Sequence, residues 1–404
     1  MNDFYTDAFF DRYHERRGTR SVKWDDYHEV YSLDRSEEIL PMWVADMDFL
    51  PPVEVTAALA KRAESGMLGY SFAQESVYES VRCWLLKRHG WQIKKEWIVF
   101  TPGVVPGINI AYQQFSEPGD GIIVQPPVYY PFMNGIKNNE RRLVTNALIE
   151  TDSGYVMDFD LLADQVRMPG NRILVLCNPH NPVGRCWSRE ELERVGRLCV
   201  ENNVLLISDE IHADLIMTGI SHQTVGTLPD EIRDHSILFF APSKTFNLAG
   251  LQTAYAVIPD PKIRKQFENG MQRFGLFGIN IFGQIALETA YTQCAPYADA
   301  VCAYVDRNMN TLAEYIGENQ PRLSMKKPEG TYLAWVDFRK TGMRNQDLER
   351  WILKEARIGV DFGRWFGAGG EGYLRFNLAC PHQTLKEAIN RMDTAMKYVN
   401  AYLK

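Results

Sequence analysis

An α/β fold, with a mostly parallel central sheet between helices and a smaller α+β domain, follows from three features of this sequence. From about residue 70, strand-like and helix-like segments alternate. The strongest strand signals, at 172–177, 204–208 and 236–240, are β-branched or apolar runs bounded by polar or turn residues. After about residue 280 the alternation gives way to long helices and then short strands.

Residues 74–89 carry spaced apolar positions and predict a helix, followed by a strand at 97–101. A second helix is expected at 108–115 and a strand at 121–125. Between the strands at 172–177 and 204–208, residues 189–201 place Leu192, Val195 and Leu198 on one face and charges on the other. Strands separated by helices need crossover connections, which make neighbouring strands parallel. The later part reads as helices at 281–291 and 298–315, a strand at 331–337, a helix at 346–356, a strand at 373–377 and a closing helix at 384–403. Pro41, Pro51 and Pro52 interrupt regular structure near the start. The expected division is therefore an amino-terminal segment 1–50 packed on the small domain, a large domain 51–285 and a small domain 286–404.

With 404 residues, 45% of them hydrophobic, the chain has material for a large core without metal or disulfide staples. A net charge of −7 with no block of Lys and Arg argues against nucleic acid as the main partner. The seven cysteines include no C-x-x-C pair, so neither a zinc site nor a disulfide framework is expected. That usage suits a reducing compartment. The amino terminus reaches Arg16-Arg17 without an apolar stretch and does not resemble a signal peptide. No apolar run approaches the ~20 residues of a bilayer span. A soluble cytoplasmic protein is expected.

Four polar clusters follow predicted strands, where open α/β sheets bind ligands. Ala241-Pro242-Ser243-Lys244 places a lysine at the end of an apolar strand. Desolvation there disfavours the ammonium and favours the neutral amine that condenses with an aldehyde. Ser208-Asp209-Glu210-Ile211-His212 ends a second strand, where Asp209 could keep a pyridine nitrogen protonated or simply cap a helix. Cys177-Asn178-Pro179-His180-Asn181-Pro182-Val183-Gly184 is a rigid loop able to present Asn181 to a planar ligand, with His212 a weaker candidate nearby. Thr101-Pro102-Gly103-Val104-Val105 leads into a helix whose first N–H groups suit a phosphate. It is not a Walker motif.

These segments, in this order, resemble the fold-type I pyridoxal-5′-phosphate (PLP) enzymes of the aminotransferase superfamily. Tyr373-Leu374-Arg375-Phe376-Asn377 fits as well, with Arg375 where such enzymes hold the substrate α-carboxylate. Four further segments resemble the MalY/PatB group of cystathionine β-lyases. They are Ser21-Val22-Lys23-Trp24-Asp25, Pro41-Met42-Trp43-Val44-Ala45-Asp46-Met47-Asp48-Phe49, Gln125-Pro126-Pro127-Val128-Tyr129-Tyr130-Pro131-Phe132 and Asp209-Glu210-Ile211-His212-Ala213-Asp214-Leu215. The resemblance implies a PLP Schiff base on Lys244, Asp209 at the ring nitrogen, Tyr129 stacked on the ring and Asn181 at its phenolic oxygen. It also implies Val104, Val105 and Ser243 at the phosphate. Tyr70 would reach the phosphate of a neighbouring subunit in a homodimer. One departure stands out: Ala241 and Gln252 replace a hydroxyl residue and an arginine that many superfamily members place on the phosphate.

The implied reaction is α,β-elimination on a sulfur-containing amino acid, L-cystathionine or L-cysteine, releasing a thiol, pyruvate and ammonia. Lys244 would be the base at Cα. An aminotransferase using the same lysine, aspartate and arginine is the rival reading, and a PLP-fold protein that only binds partners is a third. Trp43, Tyr332 and Trp365 are the expected wall for the leaving group.

Overall fold

In the computed structural model, which describes residues 4–399, seven strands form the main sheet. They are β1 (Ile98–Thr101), β2 (Gly121–Val124), β3 (Arg142–Thr145), β4 (Asn171–Cys177), β5 (Leu205–Asp209), β6 (Ser236–Phe240) and β7 (Ala254–Val257). Their spatial order is β1-β7-β6-β5-β4-β2-β3. β7 runs antiparallel to both its neighbours, and the remaining pairs are parallel.

Side chains on a strand alternate between faces, and here both faces are apolar. Ile173, Val175 and Cys177 of β4 join one core cluster, while Leu174 and Leu176 join the other. A sheet buried on both sides reads as a continuous apolar run, which is why β4, β5 and β6 were visible in the sequence. β7, Ala-Tyr-Ala-Val, was not read as a strand. Its two alanines carry weak strand preference, and its place between β1 and β6 is a tertiary effect.

Helices α1 (Val53–Glu64) and α2 (Glu75–His89) precede the sheet, and α3 (Val104–Phe115) follows β1. α3 begins earlier than expected because Pro106 sits in its first turn, where no intrahelical N–H is required. Gly107 lets α3 lie directly on β6, since a Cβ there would stand 2.5 Å from the Phe239 ring. α4 (Arg189–Glu201) starts on a capping box between Ser188 and Glu191. α5 (Pro261–Arg273) packs beside α3.

α6 (Ile281–Gln293) is continuous through residue 285, the expected boundary, and packs along α1 and α2. α7 (Ala295–Asn319) then packs on α8 (His382–Met396). The closing helix was expected to run to 403; residues 400–403 lie outside the described residues. Beside these helices is an antiparallel sheet of β8 (Ser324–Met325), β9 (Leu333–Asp337), β10 (Asp361–Phe362) and β11 (Tyr373–Asn377), in the order β8-β9-β11-β10. Leu40–Pro41 pairs in parallel with Ile358–Gly359, bringing the amino-terminal segment alongside. No helix among the described residues is long and apolar enough to cross a membrane.

Candidate active site

A cavity of about 440 Å³ opens where β4, β5 and β6 end, with the start of α3 on one side. Lys244 and Ser243 enter it from the loop after β6, and Asp209 and His212 from the end of β5. Asn181 and Cys177 come from the loop after β4, Tyr129 from beyond β2, and Val104 and Val105 from the first turn of α3. The parallel strands explain this convergence, because their carboxyl ends all point the same way.

Among the described residues, Lys244 is the only lysine or arginine lining the cavity. Burial lowers its pKa to about 8, against the pull of Asp46 and Asp209. Its Nζ donates to the Ala45 carbonyl at 2.6 Å. Asp209 is pushed up to about 7 by burial, only partly countered by the Ile211 N–H, which donates to it at 3.0 Å. Among the described residues no cation forms an ion pair with this carboxylate, and the pull of Lys244 does not outweigh burial. Burial holds His212 well below the ordinary histidine range, and its Nδ1 is buried without a partner.

The side chains around Asp209 divide their tasks. Glu210 turns away, accepting from Ser208 Oγ at 3.0 Å and the Val225 N–H at 3.1 Å, and pairing with His222 at 3.0 Å. Asp214 accepts from Trp84 Nε1 at 3.1 Å and from Thr245 Oγ1 at 3.2 Å. It thereby ties the loop after β5 to the residue following Lys244.

At the start of α3, Gly103 has φ +125°, a conformation that favours glycine. It provides no side-chain cap, so the N–H groups of Val104 and Val105 stay available. Ala241 and Gln252 both line the cavity.

Arg375, on β11, is almost fully buried. It reaches the cavity wall through Asn181, whose Oδ1 accepts from Nη1 at 2.8 Å. The Trp43 carbonyl accepts from Nη2 at 3.1 Å, and Asp361 accepts from the same nitrogen. Asp361 was not singled out in the sequence, since an acid in a short strand carries no local signal.

Also unread was the part played by residues 43–47. Their backbone crosses the site as a strap with its carbonyls occupied. Trp43 accepts from Arg375, Val44 and Asp46 from Asn377 Nδ2, and Ala45 from both Lys244 and Tyr332 Oη, the last at 2.7 Å. Arg16 and Lys23 brace the strap through Asp46 and Asp48. The segment had been noted for its resemblance and for Trp43 as an expected wall, not for its backbone.

Tyr70 stands apart. It does not line the cavity and is fully exposed, together with Met67, Leu68 and Phe72. Trp43 and Tyr332 are buried and Trp365 is partly buried; none of the three lines the cavity.

The aminotransferase class I and II family model matches residues 37–392. The chain is 41% identical over 387 residues to cystathionine β-lyase PatB of Bacillus subtilis, covering 96% of this chain and 99% of PatB. Cystalysin from Treponema denticola, whose crystal structure contains PLP, superposes with a TM-score of 0.93 at 36% identity, over 96% of this chain and 98% of cystalysin. A PLP-bound C-S lyase from Staphylococcus hominis gives 0.88 at 30% identity, over 96% and 97% of the two chains. This chain therefore belongs to the aminotransferase class I and II family, in its MalY/PatB branch.

Proposed function

We propose that this chain is a PLP-dependent carbon–sulfur β-lyase that cleaves L-cystathionine, L-cysteine and related S-conjugates to a thiol, pyruvate and ammonia. The observation that carries this reading is Lys244 and Asp209 on one cavity in a chain so similar to PatB along its length.

The cavity suits PLP on its own chemistry. Asp209 lacks the cation that a protonated ring nitrogen supplies, His212 Nδ1 lacks a partner, and Lys244 has the lowered pKa an imine-forming amine needs. Val104, Val105 and Ser243 are the phosphate donors, and Tyr129 and Asn181 hold the ring. Bound there, PLP provides an aldehyde for the substrate amine and an electron sink for the bond to Cα.

The side chains have separate tasks. Arg375 binds the substrate carboxylate and fixes the orientation of Cα. Lys244, neutral, accepts the Cα proton at Nζ. The ammonium so formed can donate to the Ala45 carbonyl. Asp209 keeps its partner nitrogen protonated throughout.

The test is pyruvate and thiol release from L-cystathionine with no keto acid added. Equal amounts of both are expected, whereas turnover only on adding a keto acid would establish an aminotransferase instead. Arg375→Lys is expected to raise KM about tenfold or more while changing kcat less, because an ammonium cannot make the paired contacts of a guanidinium. Steady-state kinetics on L-cystathionine check this.

A homodimer sharing its active sites belongs to the same reading. Exposed Met67, Leu68, Tyr70 and Phe72 form the kind of apolar surface a second chain covers. Tyr70→Phe is expected to weaken PLP about tenfold, by loss of one hydrogen bond to a charged group. Equilibrium dialysis measures it, and an unchanged affinity removes Tyr70 from the phosphate site. A cytoplasmic location accords with seven unpaired cysteines.

A further inference from the structure

Asp361 and Arg375 face each other directly across the antiparallel pair β10–β11. They are 1% and 2% exposed. The guanidinium commits Nη2 to Asp361 and to the Trp43 carbonyl, and Nη1 to Asn181 Oδ1. The Phe366 ring lies 5.0 Å from its central carbon. Two atoms of this pair remain buried without partners, Arg375 Nε and Asp361 Oδ1.

A buried donor left bare costs free energy that a bound ligand can recover. Arginine sits on a long, flexible stem, and Asn181 and Trp43 offer only neutral acceptors. An ion pair adds a stronger, directional contact. It also offsets part of the positive charge that draws a carboxylate. An acid placed here therefore contributes orientation at the expense of charge.

We propose that Asp361 is a positioning residue for substrate recognition, locking Arg375 so that its free N–H groups are held ready for the substrate carboxylate. This rests on Arg375 being the carboxylate anchor.

The test uses the PLP-loaded enzyme and two ligands without a leaving group, followed by cofactor absorbance. L-Alanine carries the carboxylate, and ethylamine lacks it. Asp361→Asn is expected to raise Kd for L-alanine about ten- to a hundredfold. Kd for ethylamine should stay within about twofold, and PLP affinity should not change. Asp361→Glu keeps the charge but displaces it by one methylene, so a smaller loss confined to L-alanine is expected. It carries the test if the asparagine variant does not fold.

Parallel losses for both ligands, or an unchanged L-alanine Kd in Asp361→Asn, overturn the proposal. Arg375→Lys is titrated alongside. If it leaves L-alanine binding intact, the assignment of Arg375 itself fails. If it weakens L-alanine and Asp361→Asn does not, only the role of Asp361 falls.

Discussion

Lys244→Ala is expected to lower kcat for pyruvate release by roughly 10⁴-fold, the upper range for loss of a positioned proton-transfer group. The substitution removes the only lysine or arginine that lines the cavity among the described residues, and the amine that donates to the Ala45 carbonyl. Methylamine added to the assay should restore part of the lost rate, because a small amine can occupy the vacated space and accept the proton. Activity within tenfold of the parent enzyme would exclude Lys244 as the base.

The pH dependence follows from the same residue. Burial holds the free amine below the ordinary lysine range, so with substrate bound and Lys244 released the neutral base grows as pH rises and kcat should rise with it, which a pH profile of kcat on L-cystathionine checks. The direction comes from desolvation, which disfavours the charged form of a buried amine.

The second large effect is at Asp209, and there activity and stability should move in opposite directions. Asp209→Asn is expected to reduce kcat/KM about 10²- to 10³-fold, as for loss of a preorganised electrostatic partner. In the PLP-free protein the same change should raise Tm at pH 8.

The sign follows from linkage. The folded pKa, about 7, lies above the ordinary aspartate value of 3.8. Between those values the folded state holds the proton more tightly, so stability falls as pH rises from about 4 through 7. Above that range the buried charge is a liability that asparagine removes. Thermal melts of both apoproteins at pH 5 and pH 8 check it, and the Tm gain should shrink at the lower pH. An equal gain at both would point to packing as the cause.

Such a trade, stability given up for a reactive site, is common where function needs a buried charge. It also explains why the site was legible in the sequence. Asp209, Lys244 and Asn181 each break the apolar pattern right after a strand buried on both faces, and a polar group in that position needs a partner. His212 was a weaker candidate read beside Asn181, whereas Tyr129 and Ser243 came from family resemblance, a different source of information; all three line the cavity.

What the sequence determined by itself was local: the apolar runs of β4, β5 and β6, the two-faced helix at 189–201, and the polar clusters at the strand ends. These depend on side-chain period and turn chemistry over a few residues, and neighbouring residues in sequence are enough to display them. Only the tertiary structure decided the rest. β7 became a strand because β1 and β6 flank it, not because Ala-Tyr-Ala-Val prefers that state. Ala45 contributes a backbone carbonyl, which no side-chain pattern can reveal, to a lysine 199 positions away. Asp361 meets Arg375 only through the pairing of two short strands. Contacts of this kind are set by chain crossings distant in sequence, so their physical cause exists only once the two sheets and the strap between them are in place.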